Sequence, residues 1–309
     1  MKDMIFRDKR LWIGLLVVSI LISSWGLTGC NGQNTSTTSP SPAEPSLTTS
    51  PEIPTATNEP LAALVNGVGI PLAFYEGEVA RYKQAIESLG ESLPSDAEVR
   101  TIVLNDLIDQ TLLAQAAHEA GFDVSDELLA QRISDLAAEM GGEEALAIWQ
   151  TEQGYDSAAF EAAMRLVIAA TWQRDQIIAS IPDAVEQVHA QQIFAYTSEG
   201  ARSALTSLNS GTDFNHLAWT YDPITGGELG WFPRGYLNVP AVEEAAFTLA
   251  VGEHSQIIES DLGFHIVLVL EHDMEHKLTT DAKLAMQRQA LKAWLQSQHD
   301  QSDIQIFIK

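Results

Sequence analysis

The sequence predicts an α+β protein, and three observations support this fold class. Apolar residues at helical spacing, interrupted by helix caps, run through residues 61–182. Residues 183–273 alternate short strand-like and helical segments, which is typical of a compact α+β domain. Residues 279–299 return to a helical pattern, and the strand-like alternation Ile304–Ile308 follows. A length of 309 residues corresponds to about two domains.

The first 29 residues have the pattern of an export signal. Basic residues lie among the first ten, and no charged residue occurs from Leu11 to Gly29. The stretch ends in Leu27-Thr28-Gly29-Cys30, which resembles the bacterial lipobox, where cleavage precedes a cysteine that carries lipid. We therefore expect a lipoprotein signal peptide over residues 1–29, lipidation of Cys30, and an extracytoplasmic protein anchored to the cell membrane. The alternative is an uncleaved transmembrane anchor in which the cysteine is incidental.

Residues 30–60 have the composition of a linker. Eighteen of residues 31–60 are Ser, Thr or Pro, and none is aromatic. Such a segment cannot bury enough apolar surface to offset the entropy lost on folding. A disordered linker behind the lipidated Cys30 is therefore predicted to precede the folded part of the chain.

Charge and cysteine content disfavour several functional classes. Asp and Glu number 42 against 17 Lys and Arg, and the formal net charge is −25. A field of that sign repels phosphate backbones, so nucleic acid is not an expected partner. Cys30 is the one cysteine in the sequence, which excludes a disulfide framework and a cysteine-ligated zinc site within the chain.

Helix signals divide residues 61–182 into several segments. Ser95-x-x-Glu98 is a capping box, Gly121 is a helix stop, and Ser125 begins the next helix. Asp156 caps a long helical run that reaches Ile178. The apolar residues of these helices are core residues by default, although some of them could line an open groove for other polypeptides. The sequence does not separate the two sets.

The region 183–273 has shorter elements. Strands are predicted over Val188–Ala195, Ser255–Ile258 and Phe264–Leu270, and helices over Ser198–Leu208, Asp213–Trp219 and Glu243–Leu249. Gly226–Gly235 is predicted to be a glycine-dense turn.

Three motif interpretations fail in this region. The glycine cluster lacks the Gly-Lys-Ser/Thr of a phosphate-binding loop. His272-x-x-x-His276 could bind a metal ion on a helix, but no third ligand is placed, so a solvated linker after the strand is favoured. No Gly-x-Ser-x-Gly nucleophile elbow occurs. We therefore predict no metal site and no cofactor.

Five ordered motifs resemble those of a known family. They are Gly211-Thr-Asp-Phe214-x-x-Leu217-Ala218, Gly226-Gly-Glu-Leu-Gly-Trp-Phe232, Glu244-Ala-Ala-Phe247-x-Leu249, Gly252-Glu-x-Ser255 and Gly263-Phe-His265-Ile266. Their order and spacing over residues 186–271 resemble parvulin-type (PpiC) peptidyl-prolyl isomerases. Val65-Asn66-Gly67 before a helical region, and a Trp294-containing helix after the motifs, resemble the split chaperone domain of exported SurA and PrsA foldases.

This resemblance implies a domain plan and an activity. Residues 61–182 would be the N-terminal part of an all-helical chaperone domain, residues 183–273 the inserted parvulin-like α+β domain, and residues 274–309 the helix and strand that complete the chaperone domain. The implied function is a lipid-anchored foldase that binds unfolded exported polypeptides and isomerises their X-Pro bonds without a cofactor.

The resemblance also implies site residues. Leu229, Leu237 and Ser260 would line the slot for the proline ring, and His265 would be the histidine of the last strand; without the resemblance, His265 could equally be a hydrogen-bonded core residue. Gln192 stands where the family usually has a second histidine, and it can still donate and accept hydrogen bonds. Asp222 is the candidate for the usual acidic or thiol group, in a loop that is shorter than usual.

Other positions depart from the family. His189 is a poor substitute for the missing histidine because its odd offset from Gln192 places it on the opposite strand face. The aromatic wall expected near residue 241 is replaced by Ala241-Val242. Two alternatives therefore stay open: a non-enzymatic holdase or assembly chaperone with a degenerate parvulin domain, and a structural lipoprotein.

Overall fold

The protein is described from a computed structural model that covers residues 59–308. These residues divide into two compact units, one formed by residues 59–173 and 298–308 and the other by residues 174–297. Helices and antiparallel sheets occur in both, which confirms the α+β fold class. The predicted signal peptide, Cys30 and the linker as far as residue 58 lie outside the described residues.

The first unit begins with a hairpin of β1 (Leu61–Val65) and β2 (Val68–Pro71). Asn66 and Gly67 form its turn with φ angles of 50° and 84°, the left-handed conformation that an Asn-Gly turn between strands requires. The late strand β7 (Ile304–Ile306) pairs with β1, so the sheet order is β2-β1-β7, with both pairings antiparallel. The all-helical expectation did not include the hairpin, whose strands are too short to show a clear alternation.

Five helices follow the hairpin. They are α1 (Leu72–Ser88), α2 (Asp96–Glu119), α3 (Asp126–Met140), α4 (Glu143–Glu152) and α5 (Ser157–Ala179). The predicted capping box at Ser95 is present, and Ser125 and Asp156 accept backbone hydrogen bonds from Leu128 and Ala159. None of the helices between residues 59 and 308 combines the length and apolar character that a membrane crossing needs.

Two apolar clusters form the core of the first unit. One joins the hairpin to α1 and α2 through buried residues such as Val65, Tyr75 and Ile108. The other joins α3, α4 and α5 through residues such as Leu136, Leu146 and Phe160. Some large apolar side chains stay outside both clusters: Leu89, Leu93 and Ile148 are exposed.

The second unit contains a four-stranded antiparallel sheet. Its elements are β3 (Ala184–Ala195), α6 (Ser198–Asn209), α7 (Phe214–Tyr221), β4 (Glu228–Pro233), α8 (Pro240–Thr248), β5 (Ile258–Ser260), β6 (Gly263–Lys277) and α9 (Thr280–Gln301), which continues into the first unit. The sheet order is β4-β3-β6-β5.

Helices cover both faces of this sheet. Buried residues of α8 pack with Val188, Ala190, Val267 and Val269, and partly buried side chains of α6 and α7 pack with Ile193 and Ile266. Because side chains alternate along a strand, one group of core residues faces α8 and the other faces α6 and α7.

One turn prediction and two strand predictions for the second unit differ from the structure. Glu228–Pro233 is a strand within the predicted glycine-dense turn, because it pairs with β3 along Gln187–Gln191. β6 continues to Lys277, so His272 and His276 lie in a strand rather than in a linker. β5 begins at Ile258, where the predicted strand Ser255–Ile258 was expected to end.

Candidate active site

Three polar side chains from three strands form a hydrogen-bonded chain. Nδ1 of His265, on β6, lies 2.9 Å from Oε1 of Gln192, on β3. Nε2 of His265 lies 2.8 Å from Oγ of Ser260, on β5. The sheet register brings them together, because His265 pairs with Phe194 on one side and with Ile258 on the other. Three of the sequence-predicted site residues therefore meet at one place.

A neutral ring satisfies the contacts of His265. With the hydrogen on Nδ1, the ring donates to the Gln192 oxygen, and Nε2 can accept from the Ser260 hydroxyl. This assignment takes the Gln192 amide in the orientation that satisfies both bonds. His265 is only 4% exposed, and this burial lowers its pKa, which favours the same neutral form.

The backbone of Gln192 is held by the loop before β4. Its N–H donates to the carbonyl oxygen of Gly227 at 2.8 Å, and Nε2 of Gln191 donates to the carbonyl oxygen of Gly226 at 2.7 Å. Gly227 has a φ of 70°, and a Cβ built there would overlap the Gln192 carbonyl group. Glycine is therefore needed at this position both for the backbone conformation and for the close approach of the two segments.

Asp222 is engaged in its own turn. Its carboxylate accepts from the backbone N–H of Ile224 at 3.0 Å, from the N–H of Thr225 at 3.2 Å, and from the Thr225 hydroxyl. These hydrogen bonds, first of all the one from the hydroxyl, lower the pKa of Asp222. Within residues 59–308, Asp222 forms no hydrogen bond with His265 or Gln192. Its contacts therefore assign it to the loop and not to the hydrogen-bonded group of Gln192, His265 and Ser260.

The two predicted slot leucines lie against the apolar cluster under α8. Leu229 and Leu237 are partly buried and pack on the cluster that contains Phe232 and Phe247. Val242, in the segment that replaces the expected aromatic wall, is 2% exposed and belongs to this core, whereas Ala241 is exposed. Leu229 and Leu237 therefore belong to an apolar cluster that is backed by buried phenylalanines.

Two aromatic residues at the site were missed from the sequence. The ring centroid of Phe194 lies 5.0 Å from that of His265 and 4.9 Å from that of Tyr196, which is 83% exposed. The alternation of side chains along β3 was the available signal, because Phe194 and Tyr196 follow Gln192 at intervals of two.

His272 and His276 pair with separate carboxylates. His272 Nε2 lies 2.9 Å from Glu186, and His276 Nδ1 lies 3.3 Å from Asp273. Within residues 59–308 no group of three or more His, Cys, Asp or Glu side chains is arranged to hold a metal ion.

Comparison with known proteins finds two family models along the chain. Residues 176–273 match the model of the PPIC-type PPIase domain, and residues 47–164 match that of the SurA-like N-terminal domain. The two matches follow each other along the sequence, the SurA-like segment first and the PPIC-type segment second. The PPIC-type segment contains Gln192, His265 and Ser260.

Individual relatives carry foldase and chaperone names. The foldase protein PrsA of Halalkalibacterium halodurans is 39% identical over 94 residues, which cover 29% of this chain and 28% of that protein. The chaperone SurA of Nitrosococcus oceani is 26% identical over 257 residues, which cover 69% of this chain and 58% of that protein. The chain spans 28% of the length of the first of these PrsA relatives and 62% of the PrsA of Geobacillus kaustophilus.

Among solved structures, the peptidylprolyl isomerase PrsA of Bacillus cereus is similar with a TM-score of 0.45 and 21% sequence identity. The match covers 82% of this chain and 96% of that chain.

Proposed function

We propose that this protein is a foldase that isomerises X-Pro peptide bonds in unfolded polypeptides and also holds those polypeptides as a chaperone. The observation that carries the proposal is the hydrogen-bonded chain of Gln192, His265 and Ser260, beside apolar side chains, in a domain of the PPIC type. The SurA-like N-terminal domain and the names of the relatives support the chaperone part.

The reaction makes modest chemical demands that these residues meet. Rotation about a peptide bond faces a barrier of about 18–20 kcal/mol because the planar amide is stabilised by resonance. A catalyst accelerates the rotation when it binds the twisted amide more tightly than the planar one, and each 1.4 kcal/mol of difference gives about a tenfold faster rate. Leu229 and Leu237 would hold the proline ring, while neutral His265 and its two partners would orient the polar groups of the twisted bond.

Unfolded clients would bind through apolar contacts. Exposed apolar side chains of the first unit, Leu89, Leu93 and Ile148, offer such surface, as does Tyr196 next to the site in the second unit. The strongly acidic composition would favour clients with basic segments.

Export and lipid anchoring form part of the proposal. They are supported by the charge-free stretch Leu11–Gly29 and by Leu27-Thr28-Gly29-Cys30 directly behind it. With lipid on Cys30, the Ser/Thr/Pro-rich linker would keep the folded units at a distance from the membrane surface.

Refolding of a protein limited by proline isomerisation tests the activity. The purified protein should accelerate the slow phase, and His265→Ala should abolish the acceleration. His272→Ala is the matched control, because His272 lies on the same strand and pairs with Glu186 instead of Gln192. No acceleration by a correctly folded wild-type protein, or equal loss in both variants, would contradict the proposal.

A second candidate function is a holdase without isomerase activity. The observations that favour it are an amide at Gln192, where the family usually has an imidazole, and the engagement of Asp222 in its own turn. A holdase would suppress client aggregation equally well with and without His265→Ala and would leave the slow refolding phase unchanged.

A further inference from the structure

His189 joins both neighbouring strands through its ring. Its Nε2 lies 2.6 Å from Oε1 of Glu228 on β4, and its Nδ1 lies 3.1 Å from Oε1 of Glu271 on β6. Ionised carboxylates only accept hydrogen bonds, so both bonds can be made at once only if both ring nitrogens carry hydrogens. The complete bridge across the three strands therefore belongs to the protonated ring.

The bridge stands next to an irregularity of β3. The pairing with β6 shifts between His189 and Ala190, and the pairing with β4 shifts between Ala190 and Gln191. Such bulges change the direction of the side chains that follow them and are frequent next to active sites. Here Gln191 turns to the carbonyl oxygen of Gly226, and Gln192 turns to His265. His189 therefore forms the last regular pair with β6 before the shift, and Ala190 forms the last regular pair with β4.

The Glu228 carboxylate, which accepts from His189, also holds the start of β4. Oε1 of Glu228 accepts from the backbone N–H of Gly230 at 2.9 Å in addition to its bond with His189. Leu229 lies between these two residues, and Gly227, which holds the backbone of Gln192, comes directly before them. A bond from His189 to Glu228 thus restrains the segment that carries a slot residue and supports Gln192.

We propose that His189 is a positioning residue for prolyl isomerisation, whose protonated ring clamps the first residues of β4 to β3 so that Leu229 and Gln192 stay in register with His265. This role rests on the proposed function. The charged or titratable groups that face the ring are Glu228 from β4 and Glu271 from β6. Trp231 of β4 stacks on the ring of His189 with a centroid distance of 5.5 Å, and Trp231 also stacks with His276 of β6 at 3.9 Å. His276 in turn pairs with Asp273.

Steady-state kinetics, measured on the whole protein with a proline-containing peptide, test the clamp. His189→Gln should raise KM about tenfold, the equivalent of one lost hydrogen bond to a charged group, with a smaller effect on kcat. His272→Gln, which alters a histidine bonded to Glu186, should leave both constants unchanged.

Amide exchange of Gly230 provides a readout that does not depend on activity. Its protection should fall in His189→Gln and stay the same in His272→Gln. An active wild type whose KM and Gly230 protection are both unchanged by His189→Gln would overturn the clamp. A wild type without any isomerase activity would overturn the proposed function and the positioning role with it, and reduced Gly230 protection in His189→Gln would then indicate a purely structural bridge.

Discussion

Replacing Gly227 with alanine should reduce stability and activity more than replacing Gly230 with alanine. Gly227 and Gly230 share nearly the same left-handed backbone, with φ angles of 70° and 68°. A Cβ on Gly230 meets nothing within 4 Å, whereas a Cβ on Gly227 overlaps the carbonyl oxygen of Gln192 and lies 3.0 Å from its carbonyl carbon. The two substitutions therefore differ mainly in the steric contact with β3.

The magnitudes follow from this difference. Left-handed backbone costs a residue with a Cβ about 1–2 kcal/mol, and both variants bear this cost. Only at residue 227 must the backbones separate, which sacrifices the 2.8 Å bond from Gln192 N–H to Gly227, worth about 1 kcal/mol net. Displacement of packed groups adds about 1–3 kcal/mol. Gly227→Ala should thus be less stable than Gly230→Ala by roughly 2–4 kcal/mol.

Urea unfolding of the two variants measures the stability difference, and the rate of prolyl isomerisation measures its effect on the site. Gly227→Ala should lose most of its activity even where it remains folded, because Gln192 moves away from His265. Gly230→Ala should keep most of its activity. Equal stabilities, or equal activities in the two variants, would refute the argument that the approach of Gly227 to Gln192 positions the site.

Three further predictions concern other parts of the chain. Cys30→Ser should abolish incorporation of labelled palmitate in a bacterial host, and retained label would contradict lipidation at this residue. Asp222→Ala should reduce kcat less than tenfold, because the carboxylate serves its own turn; a loss as large as that of His265→Ala would restore a catalytic role. Burial and two nearby carboxylates raise the pKa of Asp106 to about 7, so the folded state binds an extra proton between about pH 4 and 7 and loses stability as pH rises through that range. Asp106→Asn should therefore raise the urea midpoint at pH 8, by the equivalent of about 2–4 kcal/mol, and change it little at pH 4; no gain at pH 8 would contradict the burial argument.

Features set by local sequence were predictable. The Ser95 capping box needs a serine and a glutamate three residues apart, and the structure contains it. The helices after Thr197 and Asp213 begin at capping side chains and were placed to within two residues at their starts. The predicted strand over Val188–Ala195 is present, with four more residues at its start.

Features set by long-range pairing were not predictable. Glu228–Pro233 contains a glycine and follows two others, so its local signal is that of a turn, yet pairing with β3 makes it a strand. The sequence shows that Asp222 is acidic, but where its hydrogen bonds go depends on the conformation of the loop. The partnership of Gln192 with His265 came from the family resemblance, because no spacing in the sequence reveals the register between β3 and β6.

The most direct test of the proposed activity is the exchange between the cis and trans forms of an Ala-Pro peptide, followed by NMR with catalytic amounts of the protein. Without a catalyst, the exchange takes tens to hundreds of seconds. We expect the wild-type protein to make it faster, His265→Ala to lose this acceleration and His272→Ala to keep it. Exchange at the uncatalysed rate, in the presence of wild-type protein shown to be folded, would contradict this expectation and favour the holdase.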